Sequence, residues 1–171
     1  MTARTDDYSS HYNLGNYYLH TRAFDAAIKS YKTAIRLRPD ISMIWVNLSL
    51  AEYSAKRFGD SKNSLNKALE LDDKNAATHL NMAMLMGEQG ETEGAKAHFV
   101  KALKIDPRSA QAAFNLCVLE ADTDWKRAEA MCKKAADLQP GNPKYAYSLA
   151  FYQNRAGQSA KAIKTLEFIT R

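Results

Sequence analysis

Residues 8–41 read YSSHYNLGNYYLHTRAFDAAIKSYKTAIRLRPDI and hold two helical patterns in tandem. His11, Leu14, Gly15 and Tyr18 fall on one helix face. After a break at Thr21-Arg22-Ala23, Phe24, Ala27, Ile28, Tyr31, Ala34 and Ile35 fall on another. Pro39 ends the second pattern, because it has no amide to continue the helix, and Asp40 or Ser42 can cap the next one. The stretch predicts two helices joined by a tight turn.

The pair then repeats. Asn13, Asn47, Asn81 and Asn115 are spaced 34 residues apart, as are Phe24 and Phe58. Leu14, Leu48, Met82, Leu116 and Leu149 form a second column, and Ala34, Ala68, Ala102, Ala135 and Ile169 a third. Coincident columns at one period define units 8–41, 42–75, 76–109, 110–142 and 143–171 within a single repeat domain, 1–171. The fourth unit is one residue short, and the deletion falls near Asp122-Thr123-Asp124, between helical patterns. Asn142-Pro143 is a strong start signal for the fifth, and Gly90 and Gly157 stand at inner turns.

The columns resemble the tetratricopeptide repeat. The residues that carry the likeness are His11, Leu14, Gly15, Tyr18, Ala27, Tyr31, Ala34 and Pro39, then Trp45, Leu48 and Ser49, then Ala95, Phe99, Ala102 and Pro107. The resemblance implies an all-α, right-handed superhelical solenoid of about five repeats, the last incomplete. Its first helices would line a concave surface and its second helices lie outside. One helix pair cannot bury its apolar face alone, so stacked neighbours supply the core. Glu52, Glu120 and Gln153 depart from the pattern, standing where the first unit has Tyr18, and they need partners or an edge.

Composition agrees with a folded helical chain. The 171 residues are 46% hydrophobic and 25% charged, with only seven Gly and four Pro. No apolar run is long enough for a membrane helix, and the first seven residues hold no secretory leader. These two features favour the cytoplasm and no membrane. Lys plus Arg number 24 against 19 Asp plus Glu, a net charge of +5 that does not demand nucleic acid. Basic residues of the second helices, such as Lys29, Lys32 and Arg36, read as a solvated outer face.

The first helices are unusual because they are apolar on two sides. Opposite the face of Leu14 and Tyr18 runs the column Tyr12, Val46, Leu80, Phe114, Tyr147, and four residues on the column Asn16, Leu50, Met84, Val118, Phe151. Beside them stand Asn13, Asn47, Asn81 and Asn115. Such a side is either covered or a binding surface. An amide offers donors and an acceptor, so an Asn ladder can grip an extended peptide backbone while apolar neighbours take its side chains. The alternative for each Asn is a helix-to-helix bond, and for the apolar columns burial within the solenoid. The expected peptide-binding set is therefore Asn13, Asn16, Asn47, Asn81, Asn115, Tyr12, Leu50, Leu80, Met84, Phe114, Val118, Tyr147 and Phe151. A carboxylate-clamp groove of the kind some family members use is disfavoured, because Tyr12, Ala77 and Asn81 stand where cations are needed. Lys144 and Arg155 read as solvated surface, or else as an anion-attracting groove end.

Nothing points to catalysis. There is no phosphate loop, nucleophile elbow or metal-ligand spacing, so no cofactor, metal or catalytic residue is expected. His11 and His79 share the core column of Trp45. Cys117 and Cys132 are expected to be buried and reduced, a disulfide being the less favoured alternative. The expected function is a non-enzymatic scaffold for a protein or peptide partner. The alternative is the repeat arm or oligomerisation module of a larger protein, such as an enzyme, because the sequence stops inside a repeat at Leu166-Glu167-Phe168-Ile169-Thr170-Arg171 and leaves an apolar end for self-association.

Overall fold

The computed structural model describes residues 7–169. It holds helices α1 Tyr8–His20, α2 Phe24–Leu37, α3 Ser42–Ser54, α4 Phe58–Leu71, α5 Ala76–Glu88, α6 Thr92–Ile105, α7 Ala110–Glu120, α8 Trp125–Leu138, α9 Pro143–Arg155 and α10 Ser159–Ile169. Among the described residues there is no strand. The fold is all-α. Helices α1–α5 belong to one compact unit that ends at Glu91, and α6–α10 to a second that begins at Thr92.

Local chemistry sets the helix starts. Asp7, Asn75, Ser109, Asp124 and Asn142 each accept a hydrogen bond from an amide in the first turn of the helix that follows. Such caps satisfy amides that have no intrahelical partner. The turns inside the pairs share another device. Arg22, Lys56, Gly90 and Gly157 all take a left-handed backbone, with φ of 61°, 62°, 75° and 74°. Gly does this freely, whereas Arg22 and Lys56 do it against the clash of their own Cβ. The turn after α7 contains no such residue. This is where the fourth sequence unit is one residue short, and α7 stops at Glu120 after 11 residues.

In the first unit, Ala27, Ile28, Tyr31 and Ala34 of α2 pack with Ile44, Leu48 and Ala51 of α3. A second cluster, Leu65, Met82 and Leu85, joins α4 to α5. The small-residue columns are what allow close approach. Gly15, Ser49, Ala83, Ala27, Ser61, Ala34 and Ala68 are all buried. A Cβ built on Gly15 would lie 2.5 Å from the Tyr31 ring, so that ring packs directly on the α1 backbone. The ring nitrogens of the Trp45 column are used alike. Trp45 Nε1 donates to the carbonyl of Pro39 at 2.9 Å, and His79 Nε2 lies 2.9 Å from the carbonyl of Asp73, six residues upstream in each case.

In the second unit, Ala110, Ala113, Phe114 and Cys117 of α7 pack with Ala128, Cys132 and Ala135 of α8 and with Tyr145, Leu149 and Tyr152 of α9. Here one sequence expectation is corrected. Cys117 and Cys132 are not reduced thiols but a disulfide, with Cα atoms 5.2 Å apart. The two columns they occupy face each other across the helix pair, the register at which Gly15 meets Tyr31. Two Cys there are close enough to bond.

Candidate peptide-binding surface

The expected site residues divide into those bonded within the protein and those left open. In the first unit, Asn47 Nδ2 donates to Tyr12 Oη and to Asn16 Oδ1, each at 3.0 Å. Tyr31 Oη donates to the same Asn16 oxygen at 2.7 Å. This network joins α1, α2 and α3. At Asn16 and Asn47 the amide is thus spent on packing between helices, the alternative the sequence left open. Burial pushes the Tyr31 hydroxyl well above the ordinary tyrosine range, with Tyr12 nearby adding to the shift, so it remains a donor.

Asn13 is exposed. Asn81 is half-buried and shares a small hollow with Leu50, Met84, Ser49, Ser61 and Tyr53. Leu80 is half-buried too. Among the described residues the Asn81 and Asn115 side chains have no hydrogen-bond partner, although both are half-buried. Neither amide is sealed from water, so a ligand would have to displace solvent there.

In the second unit Val118, Tyr147 and Phe151 are 53%, 58% and 61% exposed. With Cys117, Ala121, Ser148 and Tyr152 they line an open hollow of about 280 Å³. Asn115 stands one helical turn before Val118 on α7. Phe114 does not join them, and the expectation that it lines a groove is corrected. It is only 6% exposed, its ring 4.9 Å from that of Tyr145, with Lys144 Nζ 4.4 Å above it. The physical reason is coverage, because α9 lies over this part of α7. Lys144 is exposed, as a solvated surface residue, and its ammonium also sits on the Phe114 face. Ser148, which ends the Asn column, donates to its own helix at the Lys144 carbonyl, 2.9 Å away.

The three polar departures each find a partner on the next helix. Ser64 donates to Glu52 at 2.7 Å, with Lys32 3.8 Å away. Arg127 Nε lies 3.0 Å from Glu120 Oε2, an ion pair whose alignment leaves that oxygen without a true hydrogen bond. Thr165 donates to Gln153 at 2.9 Å. Burial raises the Glu52 pKa, outweighing the hydrogen bond from Ser64 and the charge of Lys32, which both lower it. With the folded value raised, the stability Glu52 provides is full below the ordinary glutamate range and is lost as pH rises through the folded value. Glu52→Gln is therefore expected to raise the melting midpoint at neutral pH, with the gain vanishing under acid conditions. Thermal melts of both proteins across that pH range check it. An equal gain at every pH would show that charge burial is not the cause.

Among the described residues no helix is long and apolar enough to cross a membrane, and no three His, Cys, Asp or Glu side chains gather as a metal site requires.

The family profile of the tetratricopeptide repeat matches residues 8–41, 44–75 and 76–109, more than half of the chain. The chain belongs to the tetratricopeptide repeat family. Among curated proteins it is similar to the human protein O-mannosyl-transferase TMTC3, at 30% identity over 151 residues, 85% of this chain but 16% of that protein. The chain thus spans about a sixth of that relative's length. Among solved structures it resembles pilF of Pseudomonas aeruginosa, with a TM-score of 0.87 and 18% identity, covering 95% of this chain and 75% of that one. It also resembles YrrB, described as a TPR protein with an unusual peptide-binding site, with a TM-score of 0.70 and 14% identity over 97% and 86% of the two chains. At these identities the structural likenesses speak for the tetratricopeptide fold alone. That fold serves protein–protein scaffolding in general.

Proposed function

We propose that this tetratricopeptide module is a non-enzymatic scaffold that binds a peptide segment or helix of a partner protein. The observation that carries the reading is the open hollow of the second unit, where Val118, Tyr147 and Phe151 are each more than half exposed. Large apolar side chains left in water around one hollow are the usual anchors of a recognition surface. In the second unit the Asn115 amide beside Val118 supplies a polar grip, and in the first unit Asn81 with Leu50, Leu80 and Met84 forms a patch of its own. Tyr12, Asn16 and Asn47 contribute by holding the first helices in place, and Asn13 is free to contact a ligand. YrrB shows by its description that this fold accommodates a peptide.

The test is a pull-down from the source lysate with three proteins. The wild type is expected to capture a defined partner. Asn81→Ala with Asn115→Ala, and separately Tyr147→Ala with Phe151→Ala, are expected to lose it at least tenfold with helicity and melting unchanged. Retained capture by both double variants, or a large loss of stability in either, would remove these residues from binding.

A second reading has its own support: the chain aligns over most of its length with a sixth of an O-mannosyl-transferase. It is then the repeat arm of a longer protein, such as an enzyme, or a self-associating module. Immunoblotting the native protein and light scattering over a concentration series separate these from a free-standing adaptor. A persistent Cys117–Cys132 disulfide favours an oxidising compartment over the cytoplasm.

A further inference from the structure

The basic residues of α2 read from sequence as a solvated face, yet in the first unit they form the wall of a groove. Helices α2, α3 and α4 border an open groove of about 860 Å³. Of its apolar lining, Trp45 is partly exposed, whereas Ile28 and Leu48 lie beneath it, buried in the core. Along one wall stand Lys29, Lys32 and Arg36, whose 3 and 4 spacing sets them on one side of α2. The α4 wall answers with the short side chains Asn63 and Ser64, which leaves the space open. Arg57, just before α4, bonds Asp25 of α2 at 2.6 Å and bridges the two walls.

The charges do not cancel. Glu52 on the floor is 2% exposed and already engaged, by Ser64 at 2.7 Å and Lys32 at 3.8 Å. Asp25 is held by Arg57. Among the described residues Lys29 and Arg36 have no carboxylate within ion-pair distance, and of the acids in the lining only Asp60 lacks a cation. A partly exposed indole beside two cations without an acid partner, Lys29 and Arg36, matches one kind of occupant. This surface also differs from the one proposed above. On α3, Trp45, Leu48 and Glu52 face the groove, whereas Asn47 bonds Tyr12 and Asn16.

We infer that this groove is a second docking site, for an acidic segment of a partner protein. A Phe or Leu of that segment rests on the exposed part of Trp45, and its Asp or Glu side chains pair with Lys29 and Arg36. Nucleic acid fits less well, because Trp45 is the one aromatic side chain in the lining, whereas a bound strand stacks successive bases on several.

Trp45 lines the groove, and Trp125 of α8 is the other tryptophan. In a Trp125→Phe background Trp45 emission therefore reports occupancy. The probes are synthetic peptides with one Phe or Leu flanked by Asp and Glu, the matched peptides with Lys in place of the acids, and a single-stranded oligonucleotide. The acidic peptides are expected to shift Trp45 emission saturably, and the basic peptides and the oligonucleotide to leave it unchanged. Lys29→Glu with Arg36→Glu is expected to weaken the acidic peptides at least tenfold. The milder Lys29→Gln with Arg36→Gln should give a smaller loss in the same direction. Both pairs are exposed, and circular dichroism checks that the fold is kept. Asn81→Ala with Asn115→Ala is expected to leave this response intact, so this site and the other surface fail independently. No response to the acidic peptides, an equal response to the basic ones, a stronger response to the oligonucleotide, or indifference to charge reversal overturns the proposal.

Discussion

Gly15→Ala is expected to lower the stability of the first unit by about 1–3 kcal/mol, the usual cost of overpacking a core. Helix propensity alone predicts the reverse, because Ala stabilises a helix interior by about 1 kcal/mol over Gly. The decision rests on space. A Cβ at position 15 lies 2.5, 2.6 and 2.9 Å from three ring atoms of Tyr31. Tyr31 is fully buried and bonded to Asn16, so its ring has nowhere to swing. Relief therefore means parting α1 from α2. The second repeat shows what the same register accepts, with Ser49 and Leu65 both fully buried. Gly15→Ser with Tyr31→Leu is accordingly expected to lose less stability than the sum of the two single changes. A urea-melt cycle measures that coupling, expected at about 1 kcal/mol or more. If Gly15→Ala raises the midpoint, or the cycle is additive, the ring is not the obstacle.

The helices were legible because each is written twice over, in local periodicity and in the 34-residue register. Pro39, Pro107 and Pro143 and the capping residues punctuate that register. The family and the all-α fold follow from those columns. The site was less legible, because periodicity shows that a helix has a second apolar side without showing what covers it. Phe114 and Val118 lie four residues apart on one side of α7, yet Tyr145 covers the first and leaves the second in water. The Asn column likewise looks uniform in sequence. Asn47 is spent because a Tyr hydroxyl and another amide lie within 3.0 Å of it, and Asn81 and Asn115 have no such neighbours. The groove beside α2 had no distinct signal, since Asn63 stands in one column with Lys29, Ala97 and Ala130, and Ser64 in one with Ser30. The left-handed turns were half-visible, since Gly90 and Gly157 advertise them and Arg22 and Lys56 do not.

Reduction of the Cys117–Cys132 bond is expected to lower the stability of the second unit by up to about 3 kcal/mol, the loop-closure value for a separation near 15 residues. Because both cysteines are almost fully buried, at 1% and 0% exposure, reductant must wait for the helix pair to open, and reduction should be slow in the native state. Two contributions need separating, the tether and the packing. Cys117→Ser with Cys132→Ser removes the tether and buries hydroxyls, so it is expected to be the least stable form. Cys117→Ala with Cys132→Phe removes the tether but restores the small-and-large pairing that the third repeat carries at this register, Ala83 and Phe99. Its midpoint is expected between the reduced and the oxidised wild type. Cys117 also lines the hollow that holds Val118, Tyr147 and Phe151, so the tether fixes the backbone from which Val118 projects. Partner capture should then weaken in step with reduction and recover in the Ala and Phe variant to the extent that its stability does. Thiols that alkylate in the native protein without reductant, or a midpoint indifferent to reduction, would show that the two sulfurs are not joined in solution and that close packing alone holds α7 to α8.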